Sequence, residues 1–400
     1  MIGFDPQEIY RAKGNTIEKS GVQKQVPNPY EFLANEVPSE VLSRDYAGGL
    51  VGYLSYEAMQ YFEPDLELNI HPDFAAFEFG LFMDGIIYDK VTDETVYFFY
   101  EENRIDRVKD ILQTTVAETN ILQVDYLGQT KTKEEHSQMV AKAKAEIIAG
   151  NTFQCQIGFE KRFKLYGSPF AIYKELRNIN PSPHMFYLKF KDTQMLGASP
   201  ELLLRNRNDE METYPLAGTI HRATSFADDS KLARRLLSDP KEIAEHNMLI
   251  DLHRNDLGRV SRFGSVKLRR QFDIKRFSHV QHISSEVSGL QKYQGNSFDS
   301  LASVFPAGTL SGAPKIESMK IIDRLEGEPR GPYGGAIGQF GLNGDCAFSI
   351  PIRTLFVHGD QAFIRASGGI VYDSVAENEY QEIENKMGSL LAAMKPFMKE

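Results

Sequence analysis

The chain has 400 residues, 42% of them apolar and 25% charged, with a formal net charge of −10 and a pI near 5.5. This is enough apolar material for a sizeable core, and length alone points to two or three units unless large sheets join them. The acidic balance, with no basic run interleaved with aromatics, argues against a nucleic-acid partner; no apolar run approaches the roughly 18 residues of a membrane span, and MIGFDPQEIY lacks the layout of a secretory leader, so the expected location is cytoplasmic.

Residues 1–127 read mainly as strands. GGLVGYLSY, FAAFEFGLFMDGIIYD and ETVYFFYE are rich in aromatic and β-branched residues and are punctuated by glycine and aspartate. A polar stretch follows, with a helix expected from just after Thr132 to Gly150, and a soft boundary divides 1–127 from 128–400, the two packed as one body. Beyond it come the strand-like TFQCQIGFEKRFKLY, the helix FAIYKELRNI and the strand pair MFYLKF and MLGASPELLLR. The expected class is α+β, with large mixed or antiparallel sheets packed as a sandwich and helices outside. Cys155 and Cys346 lie in apolar surroundings with no CxxC spacing, and read as buried thiols.

Two helices carry chemistry. In SDPKEIAEHNMLIDL, Asp239 is placed to cap, Pro240 to open and Glu242 to sit at the third position. At 100° per residue, Glu245 falls among Met248, Leu249 and Leu252, with Glu242 beside it. In DSVAENEYQEIENKMGSLLAAMKPF, Ser374 and Glu377 fit a capping box. Glu379, Glu382 and Lys386 there flank a stripe of Ile383, Met387, Leu390 and Met394, while Glu377 and Glu384 point elsewhere, towards water. Burying an ionised carboxylate costs several kcal/mol, so two inward carboxylate pairs need a cation, and four carboxylates suit a hard ion, magnesium, better than zinc. Acidic pairs on helices commonly face solvent instead, and periodicity does not bring distant segments together.

FPAGTLSGAPK, residues 305–315, invites comparison with a phosphate loop. Gly308 and Gly312 are only four apart, and Ala313-Pro314 precede Lys315, so the Gly-x₄-Gly-Lys-Ser/Thr pattern is not met.

Taken in order, GGLVGYLSYEA, NPSPHMFY, GASPEL, PLAGT, KEIAEHNMLIDLHRNDLGRV, HVQHISSEVSG, FPAGTLSGAPK, RGPYGGAIG, IPIRT and DSVAENEYQEIENK resemble the chorismate-utilising enzymes over nearly the whole length. The resemblance implies the sandwich fold of that family, with 128–400 as the chorismate-binding region and 1–127 as a shortened regulatory part. It implies a magnesium-dependent lyase that converts chorismate and ammonia to anthranilate and pyruvate, in tryptophan biosynthesis. By position, Glu245 and Glu382 match the metal ligands, with Glu242 and Glu379 supporting them. Tyr333, Arg353 and the backbone at Ser367, Gly368 and Gly369 match a carboxylate pocket, for which the planar fork of arginine is suited. Gly218, Thr219 and Lys386 match further substrate contacts.

Glu201 matches the acid that protonates the departing 4-hydroxyl, which requires a raised pKa. His282 matches the group that completes the elimination, with an expected pKa near the unperturbed value of about 6.5; without the resemblance, His246, His253 and His279 would compete with it. The glycine turn is then expected to line the substrate, its missing side chains admitting a small ring and Thr309 offering a hydroxyl. Gln154 stands where the isochorismate-forming branch carries a water-activating lysine, and Ala217 where the aminodeoxychorismate-forming branch carries lysine. Both point to ammonia as nucleophile and anthranilate as product, with aminodeoxychorismate or aminodeoxyisochorismate synthesis as the alternative.

The run after Thr219, IHRATS, departs from the family and is expected to loosen a loop over the site. Pro183 and Met185 match half of a tryptophan regulatory site, whose other half, a Leu-Leu-Glu-Ser strand, is not found, so weak tryptophan inhibition is expected. Neither cysteine sits in a nucleophile elbow. Ammonia is therefore expected from a separate glutamine amidotransferase subunit.

Overall fold

The aromatic and β-branched runs pair, antiparallel, into two large sheets, apart from Asp84–Asp89 and Glu94–Phe99, which pair with each other in a separate two-stranded sheet. The computed structural model describes residues 1–37, 48–114, 122–277, 280–293 and 295–398. Among these, a twelve-stranded sheet runs from Leu216–His221 at one edge, through Val280–Leu290 and Ala336–Gly341, to Gly49–Leu54, Phe77–Phe82 and Glu8–Lys13 towards the other. Gly49–Leu54 pairs with Ala336–Gly341 along its whole length, so strands from 1–127 and 128–400 share one sheet. The seven-stranded sheet contains Gln154–Tyr166, Thr193–Ser199, Thr354–His358 and Gln361–Ile370.

The sheets enclose one core, in which Phe79, Phe340 and Phe348 from the larger meet Met195, Phe356 and Phe363 from the smaller. A fully buried phenylalanine contributes roughly 1.5–3 kcal/mol. The opposite face of the smaller sheet packs on the helices Phe170–Ile179 and Ala376–Met394 through Ile172, Leu176, Ile383, Met387 and Leu390. The helix predicted after Thr132 spans Lys133–Ile148 and opens with a Thr132–Glu135 capping box. No described helix is long and apolar enough to cross a membrane.

Strand periodicity positions the site. Along Gln154–Tyr166, Cys155, Ile157 and Phe159 face the helices, which leaves Gln154 and Gln156 on the opposite face, towards the interior. Along Gln361–Ile370, Arg365, Ser367 and Gly369 share a face in the same way.

Candidate active site

The helix Pro240–Gly258 begins as its sequence dictates, with the Asp239 carboxylate accepting from the Lys241 N–H at 2.9 Å. Its buried face differs from the expected stripe. His246, Leu249, Ile250, His253 and Leu257 are buried, whereas Met248 and Leu252 are half-buried. The two histidines go inward because each finds a hydroxyl, His246 with Ser285 and His253 with Thr213, both at 2.7 Å. Burial holds both imidazoles neutral, pushing His246 to about 4 and His253 to about 3. Glu242 and Glu245 emerge beside this face into a cavity of about 990 Å³.

The helix Ala376–Met394 supplies the opposing wall. Ile383, Met387, Leu390 and Met394 form its buried stripe, as the spacing required. The Ser374–Glu377 capping box does not form, because the Ser374 hydroxyl accepts from the Val371 N–H at 3.0 Å instead. Glu377 is exposed to water, as expected, and pairs with Lys133, whereas Glu384 is half-buried against Lys161, both at 2.6 Å. Glu379, Glu382 and Lys386 face the cavity. Lys386 Nζ donates to Ser367 O and to Glu382 Oε1, both at 2.7 Å.

Glu201, Thr309 and His282 line the same space. The Thr309 hydroxyl donates to Glu201 Oε1 at 2.9 Å, and Glu201 is only 6% exposed. Burial raises its carboxyl to about 7, against the lowering effects of the Thr309 hydrogen bond and of Lys386 and Arg353. His282 departs from its expected pKa. Burial lowers it to about 4, and the charges of Arg353 and Lys386 act in the same direction. Its Nδ1 lies 3.0 Å from Gly218 O, an acceptor only, so Nδ1 carries the proton and Nε2 keeps its lone pair. Thr219 Oγ1 lies equally close, at 3.0 Å, and the Phe277 ring stands edge-on to the imidazole.

Arg353 supplies a cation to the cavity. Its guanidinium makes no hydrogen bond or ion pair with the described residues, and its backbone is held at φ +50°, a conformation that costs about 1–3 kcal/mol and collects at functional sites. Burial lowers its pKa. Nearby, the Tyr333 hydroxyl and Ser367 Oγ are 2.9 Å apart, and Ser367 Oγ donates to Gln156 Oε1 at 3.3 Å. Tyr333, Arg353, Ser367 and Gly369 thus contribute a cation, hydroxyls and backbone to the cavity wall.

Gly218 adopts φ +63°, and a Cβ there would lie 2.8 Å from Glu242 Oε2. Gly368, expected to line the substrate, is not among the cavity-lining residues; an added Cβ there would stand 3.0 Å from Glu379 Oε2, the movable end of a flexible side chain.

The four glutamates test whether a hard cation suits the site. Burial raises Glu242, Glu245 and Glu379, and the charge of Glu382 raises each of them further. Against four carboxylates stand the ammonium of Lys386, paired with Glu382, and the charge of Lys241, which lowers Glu242, Glu245 and Glu379. An excess of negative charge built only from oxygen donors fits magnesium chemistry. Among the described residues no three acidic, imidazole or thiol groups are already gathered into a ligand cage.

The glycine turn behaves differently from expectation. An added Cβ at Gly308 would strike Leu252 Cδ2 at 1.8 Å, and one at Gly312 would strike Gln154 O at 2.0 Å. These glycines admit protein, not ligand; the turn reaches the cavity through Thr309 and Leu310. Lys315 is turned inward, 2.9 Å from Asp256. The run after Thr219 is also not loose. Buried Asp229 accepts from Arg222 Nε at 2.8 Å and from the Ala223 N–H at 3.0 Å, which pins it.

Gln154, Ala217, Gly218 and Thr219 line the cavity as well. Pro183 and Met185 do not; Pro183 is exposed and Met185 is half-buried in the strand His184–Lys189. His279 lies outside the described residues. Gln156, Phe277 and Arg365 line the cavity without having been singled out in the sequence. The period-2 pattern running from Gln154, and back from Ser367, was the signal for the first and last of these.

A cavity lined by a guanidinium free of ion pairs with the described residues, a neutral imidazole, a carboxylic acid with pKa about 7 and four further carboxylates has the make-up of an enzyme site for acid–base chemistry. The profile of the chorismate binding enzymes matches residues 1–392, and the chain belongs to this family. It is 55% identical to anthranilate synthase component 1 of Leptospira biflexa, over 98% of this chain and 86% of that protein. Anthranilate synthase component 1 of Methanothermobacter thermautotrophicus is 42% identical, over 98% and 85%. The crystal structure of anthranilate synthase component I from Streptococcus pneumoniae superposes with a TM-score of 0.89 at 30% identity, covering 97% of this chain and 91% of that one.

Proposed function

We propose that this chain is the large subunit of an anthranilate synthase, converting chorismate and ammonia to anthranilate, pyruvate and water in a cytoplasmic pathway to tryptophan. The observation that carries the reading is the shared cavity: Glu201, His282, Arg353 and both glutamate pairs, spread over 182 positions from 201 to 382, face one space. Glu242, Glu245, Glu379 and Glu382 would hold a magnesium ion, which supplies the charge that binds the ring carboxylate. Arg353 and Tyr333 bind the carboxylate of the enolpyruvyl arm.

In the first step ammonia forms a bond to the ring carbon beside the carboxylated one, both ring double bonds shift one position, and the 4-hydroxyl departs as water with the proton of Glu201; the proton shed by the new amine restores the acid. In the second, the Nε2 lone pair of His282 takes the proton from the aminated carbon. The electron pair closes the aromatic ring, and the ether C–O bond breaks to release the arm, which becomes pyruvate on protonation. A bound dianion offsets the charges of Arg353 and Lys386 and so raises the basicity of His282, which burial depresses in the free site.

Ammonia is proposed to come from a separate glutamine amidotransferase subunit. Burial raises both thiols to about 12, which suits neither Cys155 nor Cys346 to nucleophilic attack on glutamine. Incubation of the purified chain with chorismate, magnesium and ammonium is expected to give anthranilate fluorescence. A product with the mass of an aminated, still non-aromatic acid would favour the aminodeoxychorismate or aminodeoxyisochorismate reading and overturn this one.

The acid role of Glu201 sets a pH dependence. The step needs the protonated form, so the rate falls as pH rises through about 7. Thr309→Val removes a hydrogen bond that favours the carboxylate, which raises the pKa and moves this alkaline limb to higher pH. A pH profile of kcat with the limb unmoved, or moved to lower pH, would assign the limb to another group.

A further inference from the structure

We propose that Arg330, which does not itself line the cavity, is the positioning residue that fixes the carboxylate-binding end of the site; this rests on the reading above. Arg330 is 2% exposed and uses its whole fork. Nε and NH2 donate to the two oxygens of Glu326 at 2.9 Å, NH1 donates to Leu310 O at 2.6 Å, and NH2 also donates to Gln156 O at 2.7 Å. Its guanidinium lies over the rings of Tyr56, at 4.7 Å, and Tyr333, at 5.8 Å. Leu310, Gln156 and Tyr333 all line the cavity, and they come from three separate segments.

The anchor behind this fork is equally buried. Glu57 Oε1 accepts the backbone N–H groups of Arg330 and Gly331 at 2.6 and 2.9 Å. Glu326 ties Arg330 to Arg365, at 2.8 Å, and to the Gly158 N–H, also at 2.8 Å. A buried ion pair of this kind adds little net stability over apolar packing, so stability alone does not explain it. Its geometric result is specific: one planar group sets the distance between the strand bearing Gln156, the turn bearing Thr309 and Leu310, and the ring of Tyr333. The Tyr333–Ser367–Gln156 hydroxyl and amide chain lies directly on that frame. Arg330 therefore acts on chorismate binding through Gln156 and Tyr333, which it touches directly; Glu201 and His282 lie outside its contacts, and Glu201 is reached only through Thr309, the neighbour of Leu310, so the effect on kcat is the smaller one.

Arg330→Lys tests this, because an ammonium keeps the charge but cannot span Glu326 and two carbonyls in one plane. The KM for chorismate is expected to rise about tenfold or more, the worth of one charge-assisted hydrogen bond at the ligand, with kcat within about threefold of wild type. A purely structural role would instead lower the melting temperature and the active fraction, and leave KM unchanged; that result overturns the proposal. Should Arg330→Lys fail to fold, Tyr56→Leu removes the ring beneath the guanidinium while keeping the fork, and the same KM-only change, about threefold, is expected; an unchanged KM there overturns it too. Wild-type chain assayed in parallel separates the two failures. Anthranilate formation by wild type with unaltered KM in the variants sinks the positioning role alone, whereas an inactive wild type sinks the functional reading and this proposal with it.

Discussion

Replacing His282 with alanine is expected to cut anthranilate formation by about 10²–10⁴-fold, the usual worth of a positioned base, and to make an aminated, non-aromatic acid accumulate. The two effects separate because the steps use different groups. Glu201 carries the proton for amination, is held by Thr309, and makes no hydrogen bond with His282. Nδ1 of His282 is committed to Gly218 O, which leaves Nε2 as the available lone pair. Mass spectrometry of the quenched reaction checks the outcome. Retention of anthranilate formation within about tenfold of wild type would remove His282 from the elimination step.

How much of this was legible beforehand depended on periodicity. The stripe Ile383, Met387, Leu390 and Met394 follows from helical spacing, and it dictates that Glu379, Glu382 and Lys386 stand beside it. The same reasoning placed Glu242 and Glu245 on the cavity side of their helix but misjudged the buried face, because it ranked histidine as polar. His246 and His253 are buried on the strength of one hydroxyl each, contributed by Ser285 and Thr213 from other elements. Such partners are invisible to a local pattern. The failed Ser374–Glu377 capping box has a comparable cause, since the hydroxyl was taken by the turn at Val371.

The glycine turn shows a different limit. Its composition told that something approaches closely, but not what; Leu252 and the Gln154 carbonyl are the neighbours that need the space. Arg330 was least legible of all. Nothing in RGPYGG announces a guanidinium joined to Glu326, Leu310, Gln156 and Tyr56, because its partners are distributed along the chain from Tyr56 to Glu326. The shift of His282 to about 4 likewise arises from burial and from Arg353 and Lys386, which only the assembled site brings near.

Glu245→Gln is expected to lower activity while making the free protein more stable, an opposition that follows from the charge balance of the cavity. Glu245 has its pKa raised first by burial and then by Glu242 and Glu382, so in the free site its ionised form is disfavoured. A group whose folded pKa lies above its unfolded value destabilises the fold at pH above the folded pKa, and the penalty vanishes below the unfolded one. The glutamine variant should therefore melt at a higher temperature than wild type near neutral pH, and the difference should close in acid. Function runs the other way. Removing one of the carboxylates is expected to weaken the apparent affinity for magnesium by about a hundredfold or more, and EDTA should abolish turnover of the wild type until magnesium is restored. Activity that survives chelation, or a glutamine variant with wild-type magnesium dependence, would mean that the glutamates serve some end other than holding a cation. A higher melting temperature together with lost magnesium dependence would instead identify the repulsion among these carboxylates as stability sacrificed for the site.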